Sequence, residues 1–530
     1  TIQDAIDAAP PTATILVTNG LYASGGRVAF GALTNRVFVD KSLQVRSVNG
    51  PLATVIQGYQ VPVTTNDDGA MRCVYLTNSS TLSGFTLTGG ATRAGGDANQ
   101  EQSGGALWCA STNTSLVTNC ILTASSAANS AGGVYGGTLV NCQLTTNTAP
   151  GNGGAAINGT LAGCTLLGNS SASWGGAIDL CTADNCFFSG NSASAGGATV
   201  DSLVTHCVFD GNLAYDVGGA GYRGLYTNCV FNLNTAVGRG AGAVYYATMD
   251  FSTFTSNSAP YGNGGVAGFA TLNNCLLVGN SAGGEGGAMD YSTLNNCTLA
   301  WNTASNDAGA AIRTTLNNCI LFQNSAPLDP DFSSDIAMNY CCATTLQTNG
   351  PGNFVADPLF VDAAGGNFRL QTNSPCINSG DNTTVVDTTD LDGNARIAGL
   401  RIDIGAYESP TPGLTVPYQW AQSFGLSNDG GLDADGDGMN DWQEWIAGTI
   451  PTNAASVLLL NPPASGGGGL TVSWQSVAGM KYYLQRSVNL TAHPAFSNVA
   501  SNLVGQVGTT MYNDVTATGN GPYFYRVGVQ

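Results

Sequence analysis

The chain has very little basic charge. Lys and Arg together number 15 against 34 Asp and Glu, and lysine occurs only at Lys41 and Lys481. A net charge of −19 excludes a surface that neutralises a phosphate backbone, so nucleic acid is not expected as a partner. Histidine occurs twice, which leaves little material for proton transfer at neutral pH. No apolar run approaches the ~20 residues of a membrane-spanning helix. No N-terminal leader is recognisable, and the sequence reads as mature or trimmed. Charged residues make up 9% and Gly numbers 72, a balance that would ordinarily signal disorder. A strict period and 43% hydrophobic residues argue instead for packed structure.

That period is a phrase repeated about every 22 residues between Gly104 and Cys341, and a clear copy, GGAMDYSTLNNCTLAWNTAS, runs from Gly286 to Ser305. Cys120, Cys142, Cys164 and Cys186 stand 22 residues apart, and Cys207 and Cys229 follow at 21 and 22. Ser252 takes the next place, then Cys275, Cys297, Cys319 and Cys341 resume. Five residues later comes Asn, from Asn147 and Asn169 through to Asn302 and Asn324. Two residues after the Cys comes Leu or Phe, as in Leu144, Phe188, Phe209 and Leu299. Helical-hairpin repeats need roughly 33 residues or more, so this unit is too short for them. Cys-x-Leu/Phe has period two, which puts both side chains on one side of a strand. The pattern predicts an all-β chain with a parallel β-helix of about 22 residues per coil, in which like residues stack one strand spacing apart. Cys then forms a column of small buried hydrophobes. Cys181 with Cys186, or Cys341 with Cys342, are the pairs better placed for a disulfide. Asn is assigned to the corners, where it tolerates left-handed backbone, and Gly-Gly to the tight ones.

Ile2, Ala5, Ile6 and Ala9 fit one face of a short helix ended by Pro10 and Pro11, followed by a strand at Ala13–Thr18. This start resembles the caps of pectin-lyase-like β-helices. Residues 25–100 read as irregular rungs and 91–103 as a polar excursion. GGAIDL with FFSGN, and GGATVD with VFDGN, resemble the repeats of chlamydial polymorphic outer-membrane proteins. That resemblance implies a right-handed β-helix at a cell surface and a part in adhesion; the membrane barrel of those proteins has no counterpart here, so their secretion route does not transfer. DPLFVDAAGGNFRLQTNSPCINSGDN and DLDGNARIAGLRIDIGAYE resemble the closing rungs of exported bacterial β-helices grouped under a "choice-of-anchor" label. There Asp390, Asp392 and Asp403 are expected to cap turns and pair with Arg396 or Arg401.

The β-helix with its cap is assigned to residues 1–409, a linker with an acidic loop to 410–453, and a small β-sandwich to 454–530. The linker proper is Ser409–Pro417. Asp433, Asp435 and Asp437 stand at positions one, three and five of an EF-hand loop, Met439 at seven, Asp441 at nine and Glu444 at twelve. These six are the expected ligands of a calcium ion. The loop resembles the single calcium loops of dockerins, which implies a structural role. Alternating strands such as LTVSW, KYYLQRS and YFYRVGV give the tail a resemblance to fibronectin type III modules.

Between Gly104 and Cys341 there is no Lys and one His, His206, read as an outward turn residue. Asp179 and Asp201 lie at different offsets from the ladder Cys, seven and six residues before it, which argues against a shared face. The column six residues before the ladder reads Asn158, Leu180, Asp201, Arg223, Tyr246, Phe269, Tyr291, Arg313. Asp201, Arg223, Tyr246, Phe269, Tyr291 and Arg313 form a candidate surface stripe for glycans or another protein. The reading placed first is an extracellular or cell-surface structural and adhesive solenoid, its copies packed head-to-tail into fibres. Second stands a carbohydrate-binding or polysaccharide-cleaving protein; enzymatic activity is the less favoured option.

Overall fold

The structure, a computed structural model, describes all residues except 78, 112–113, 346–349, 400, 411–415, 428–429 and 467. The middle of the expected linker therefore lies outside the described residues. Contacts divide the chain into two units. One comprises Thr1–Ala356, Asp381–Arg396 and Ile404–Glu408; the other comprises Asp357–Gly380, Ile397–Asp403 and Ser409–Gln530.

The first unit begins with helix Ile2–Ala8, capped by Thr1, which buries Ile2 and Ile6 against the first rungs. The strand after it, Thr14–Val17, opens a parallel stack. Through the regular coils each turn lays down short strands. In one coil these are Met289–Asp290, Thr293–Asn295, Thr298–Ala300 and Thr303–Ala304. Each pairs in parallel with its equivalents one coil before and after, as Thr293 does with Thr271 and Thr315. The stack forms sheets of 24, 15 and 8 strands among the described residues. It is the predicted parallel β-helix, with about 10 turns of roughly 22 residues.

The expected columns exist. Phe188, Phe209, Phe231 and Phe254 are fully buried in register, their ring centroids 4.7–4.8 Å apart and nearly parallel. The Cys column is buried throughout and is also a hydrogen-bond ladder. Cys164 N–H donates to Cys186 Sγ at 3.4 Å and Cys186 N–H to Cys207 Sγ at 3.2 Å. Ser252 does the same work: its Oγ accepts from Cys229 N at 3.1 Å and donates to Asp250 O at 2.9 Å. All fifteen cysteines are unbridged. The expectation for Cys181–Cys186 and Cys341–Cys342 is corrected for a geometric reason. Cys181 Sγ turns to Asp179 O and Cys186 Sγ to Asp184 O, while the neighbouring Cys341 and Cys342 donate apart, to Leu316 O and Ala356 O.

The Asn column also needs correction. Asn147 through Asn302 are not corner residues; they are buried inside the coil. Each side-chain amide donates to the Oδ1 of the next Asn, as Asn191 to Asn212 and Asn212 to Asn234, both at 2.9 Å, and to a carbonyl of the preceding coil. The left-handed corner is the residue before it, for example Leu233, Ser256 or Gly279. Three successive corners of a coil stand five residues apart: Tyr246, Phe251 and Ser256 have φ of +54°, +51° and +55°. The two glycines of the repeat have separate reasons. Gly175 adopts φ +63°, whereas a Cβ on Gly176 would meet Gly197 O of the next coil at 2.1 Å.

Asp390 accepts from the backbone of Asp392, Asn394 and Glu408, as expected of a turn cap. The tail of the second unit holds two three-stranded antiparallel sheets, Ala464–Gly466, Gly469–Ser476 and Gly508–Asp514 in one, and Lys481–Ser487, Ser497–Val504 and Phe524–Val529 in the other. Trp474 and Tyr482, both fully buried, join them edge to face at 5.8 Å.

Candidate functional site

A left-handed corner breaks the in–out alternation of a strand, so two consecutive residues point outward there. On the 24-stranded sheet this turns two adjoining columns away from the core, one largely exposed and the other buried or half-buried. One is the column read from the sequence: all eight of its members, Asn158 to Arg313, are left-handed, with φ between +45° and +55°. The other lies one residue earlier and runs in parallel register through Trp108, Tyr135, Ile157, Asp179, Val200, Tyr222, Tyr245, Gly268 and Asp290. Sequence reasoning missed it. Tabulating the neighbouring offset would have found its aromatics, but only the corner geometry says that both columns face out.

Together the columns make a strip of aromatic rings closed at each end by charge pairs. Tyr246, Phe269 and Tyr291 occupy three successive coils with centroids 5.0 and 4.9 Å apart, and all three are exposed. Tyr245 sets its edge against Tyr246 and Phe269, at 4.9 and 5.5 Å. At one end Arg223 pairs with Asp201 and lies 4.9 Å from the Tyr222 ring and 5.1 Å from the Trp174 ring. At the other, Arg313 covers Tyr291 at 4.7 Å and holds Asp290 at 2.9 Å and Glu285 at 3.0 Å. The structure thus brings Asp201, Arg223, Tyr246, Phe269, Tyr291 and Arg313 into one continuous feature.

The electrostatics of the strip are acidic. Burial, then the charge of Asp201, raises the Asp179 carboxyl above its ordinary range. Its Oδ2 accepts from Asn152 at 2.9 Å, and its Oδ1 is buried without a partner among the described residues. Burial, with Tyr246, Asp290 and Asp216 adding, raises the Tyr245 phenol. His206 lies apart from the strip; it is exposed at a corner, 2.9 Å from Asp184, as the sequence suggested.

In the second unit, Asp433, Asp435 and Asp437 present carboxylate oxygens that all lie within 4.8 Å of one another. Gly436 and Gly438 N–H donate to Asp433, Asp437 N–H to Asp435, Met439 N–H to Asp437 and Ala434 N–H to Asp441. These bonds wrap the loop around its own side chains. Helix Asp441–Ala447, capped by Asn440, places Glu444 in a fully buried position behind them. Burial, then the charges of Asp435 and Asp437, raises the Glu444 carboxyl to about 7. Asp435 Oδ2, Asp437 Oδ2 and Glu444 Oε2 are buried with no partner among the described residues. Orphaned oxygens at this density are costly without a counter-charge, and hard oxygen donors of this number fit a divalent cation of the calcium type.

No protein-family model matches the chain. No curated protein matches it either. Among solved structures it is similar to AlyGC, an alginate lyase of the PL6 family, at 11% identity and a TM-score of 0.39. That alignment covers 70% of this chain and 54% of the other, so the chain spans about half the length of the lyase. Pectate lyase Pel9A aligns at 14% identity and TM-score 0.28 over 76% of this chain and 90% of its own. The A-module of the Azotobacter vinelandii mannuronan C-5 epimerase AlgE6 aligns at 14% identity and TM-score 0.26 over 67% of this chain and 93% of its own. At these scores the likeness assigns neither substrate nor reaction to this chain.

Proposed function

We propose that the regular coils bind a polysaccharide outside the cell, along the strip from Arg223 to Arg313. The observation that carries this reading is the exposed run of Tyr246, Phe269 and Tyr291 at one-coil spacing, with hydrogen-bonding groups at both ends. A site that repeats once per coil suits a ligand that itself repeats. Apolar ring surface with a few fixed polar groups is the usual make-up of an organic-ligand site. The structural and adhesive reading ranks below it: helix Ile2–Ala8 already covers the apolar end of the first rungs, which lessens the need for a second copy there.

Affinity electrophoresis of the full chain through gels cast with soluble polysaccharides tests the reading. Retardation is expected on at least one of them and is lost in the Tyr246→Ala/Phe269→Ala variant at unchanged melting temperature. Unretarded migration through every gel would remove the reading.

Cleavage of the bound chain is a second reading, favoured by one pair. Asp179, buried with a raised pKa, neighbours the arginine-paired Asp201, so two carboxyls on adjacent coils stand in unlike electrostatic surroundings. New reducing ends that appear with the native chain and vanish in both Asp179→Asn and Asp201→Asn would establish it; turnover surviving in either variant would not.

For the second unit we propose a calcium ion held by Asp433, Asp435, Asp437, the Met439 carbonyl, Asp441 and Glu444, serving to fix the loop against helix Asp441–Ala447.

A further inference from the structure

The strip's charge pattern sharpens the choice of ligand, provided that the polysaccharide reading holds. The regular coils contain three arginines, and two of them close the ends of the strip. Neither is an open cation. Arg223 pairs with Asp201, and Arg313 is held by both Asp290 and Glu285. The third, Arg239, is exposed on the turn whose Gly238 packs against the backbone of Asp216. Asp179, a buried member of the second column, adds a further carboxyl. Carboxylates thus outnumber guanidiniums around the rings, on a chain whose net charge is −19.

We infer that the strip takes a neutral polysaccharide, an uncharged chain of hexose or pentose units, and rejects polyuronates. A polyuronate carries a carboxylate on every unit. To bind here it would have to break existing arginine pairs and lay its charges along a face that is already negative. A neutral chain meets no such barrier. Its hydroxyls donate to Asp201, Asp290 and Glu285 and accept from the spare N–H groups of Arg223 and Arg313, and its C–H faces pack on Tyr246, Phe269 and Tyr291. The paired guanidiniums stay in place over Tyr222 and Tyr291, where the rings hold them.

The test uses the full chain with mixed-linkage glucan, xylan and galactomannan on one side and alginate and polygalacturonate on the other, each with calcium and with chelator. At least one neutral polymer is expected to retard the protein, undiminished in about 0.5 M NaCl, where exposed charge attraction is screened. Tyr246→Ala with Phe269→Ala is expected to weaken that binding about tenfold or more at unchanged melting temperature. Retardation by a polyuronate alone, whether salt-sensitive or calcium-dependent, overturns the neutral class and leaves the binding face standing. Neutral binding that survives the double variant overturns the assignment to this strip. No retardation by any polymer takes down both this inference and the polysaccharide reading beneath it.

Discussion

Asn212 has no freedom to be anything else. Its Oδ1 accepts from both the N–H and the side-chain amide of Asn191, and its Nδ2 donates to Phe188 O and Asn234 Oδ1. Replacing it with Ala strands these groups in a dry interior, and the expected cost is about 3 kcal/mol or more by denaturant unfolding. Cys229→Ser should cost less than about 1.5 kcal/mol, because Ser252 already shows that a hydroxyl can accept and donate at this column. Equal losses from the two substitutions would contradict this contrast between the Asn and Cys columns. Three of the buried thiols should also be silent chemically. Burial pushes Cys73, Cys109 and Cys181 up to about 12, so a disulfide-exchange reagent should find no fast-reacting thiol among these until the chain unfolds. Glu101 titrates the other way. N–H groups of Ala32 and Asp97, then Arg93, hold its carboxyl at about 2, below the ordinary 4.5. The unfolded state therefore binds the proton first as pH falls, and the stabilisation is complete above pH 4.5 and lost as pH falls towards 2. Glu101→Gln should cost about 1–3 kcal/mol at pH 7 and nearly nothing at the acid end, read from urea midpoints across the pH series.

One coil shows which part of the fold can be read from letters. The 22-residue spacing of Cys142, Cys164 and Cys186 establishes which residues are equivalent, and parallel pairing keeps them adjacent. Equivalence does not say which side a residue faces. Counting in twos works from Cys207 to Phe209, because no corner intervenes, and fails from Phe209 to Asn212, because Gly211 is left-handed at φ +61°. That is why spacing alone puts Asn at the corner and overlooks the column of Tyr222 and Tyr245 beside Arg223 and Tyr246. The corners also have unequal tolerance. Leu180 sits at φ +52° with its side chain exposed, a conformation Leu adopts at a cost of roughly 1–2 kcal/mol. Leu180→Asn should stabilise the first unit by about 0.5–1 kcal/mol, since Asn enters this region readily. Gly176→Ala, four residues away, should cost more than about 3 kcal/mol, because its Cβ has no space beside Gly197 O. Thermal melts of the two variants shifting the same way would mean that corner strain and inter-coil contact have been assigned to the wrong residues.

The hydrophobic cluster of the coils lies within the first unit, and the acidic loop belongs wholly to the second. A stack of coils draws its stability from nearest-neighbour contacts along its length, which the loop does not enter. Ligand binding to a folded state adds RT ln(1 + [L]/Kd), about 2.7 kcal/mol at a hundredfold excess over Kd. The cation proposed for Asp433, Asp435, Asp437, Asp441 and Glu444 should therefore act on one part of the molecule. Calorimetry in millimolar calcium and again in chelator is expected to show two transitions, of which only the one belonging to the terminal β-sheets moves up with calcium. The part of the near-ultraviolet signal that Trp474→Phe removes, from a ring fully buried between those sheets, identifies which transition that is. Asp435→Asn and Glu444→Gln should each abolish the shift while raising the stability of the metal-free unit, because each removes a buried carboxylate oxygen that otherwise lacks a partner. Those two effects have opposite sign, so a merely disruptive substitution cannot imitate them. Calcium leaving both transitions where they were, or moving that of the coils, would exclude the cation from this loop.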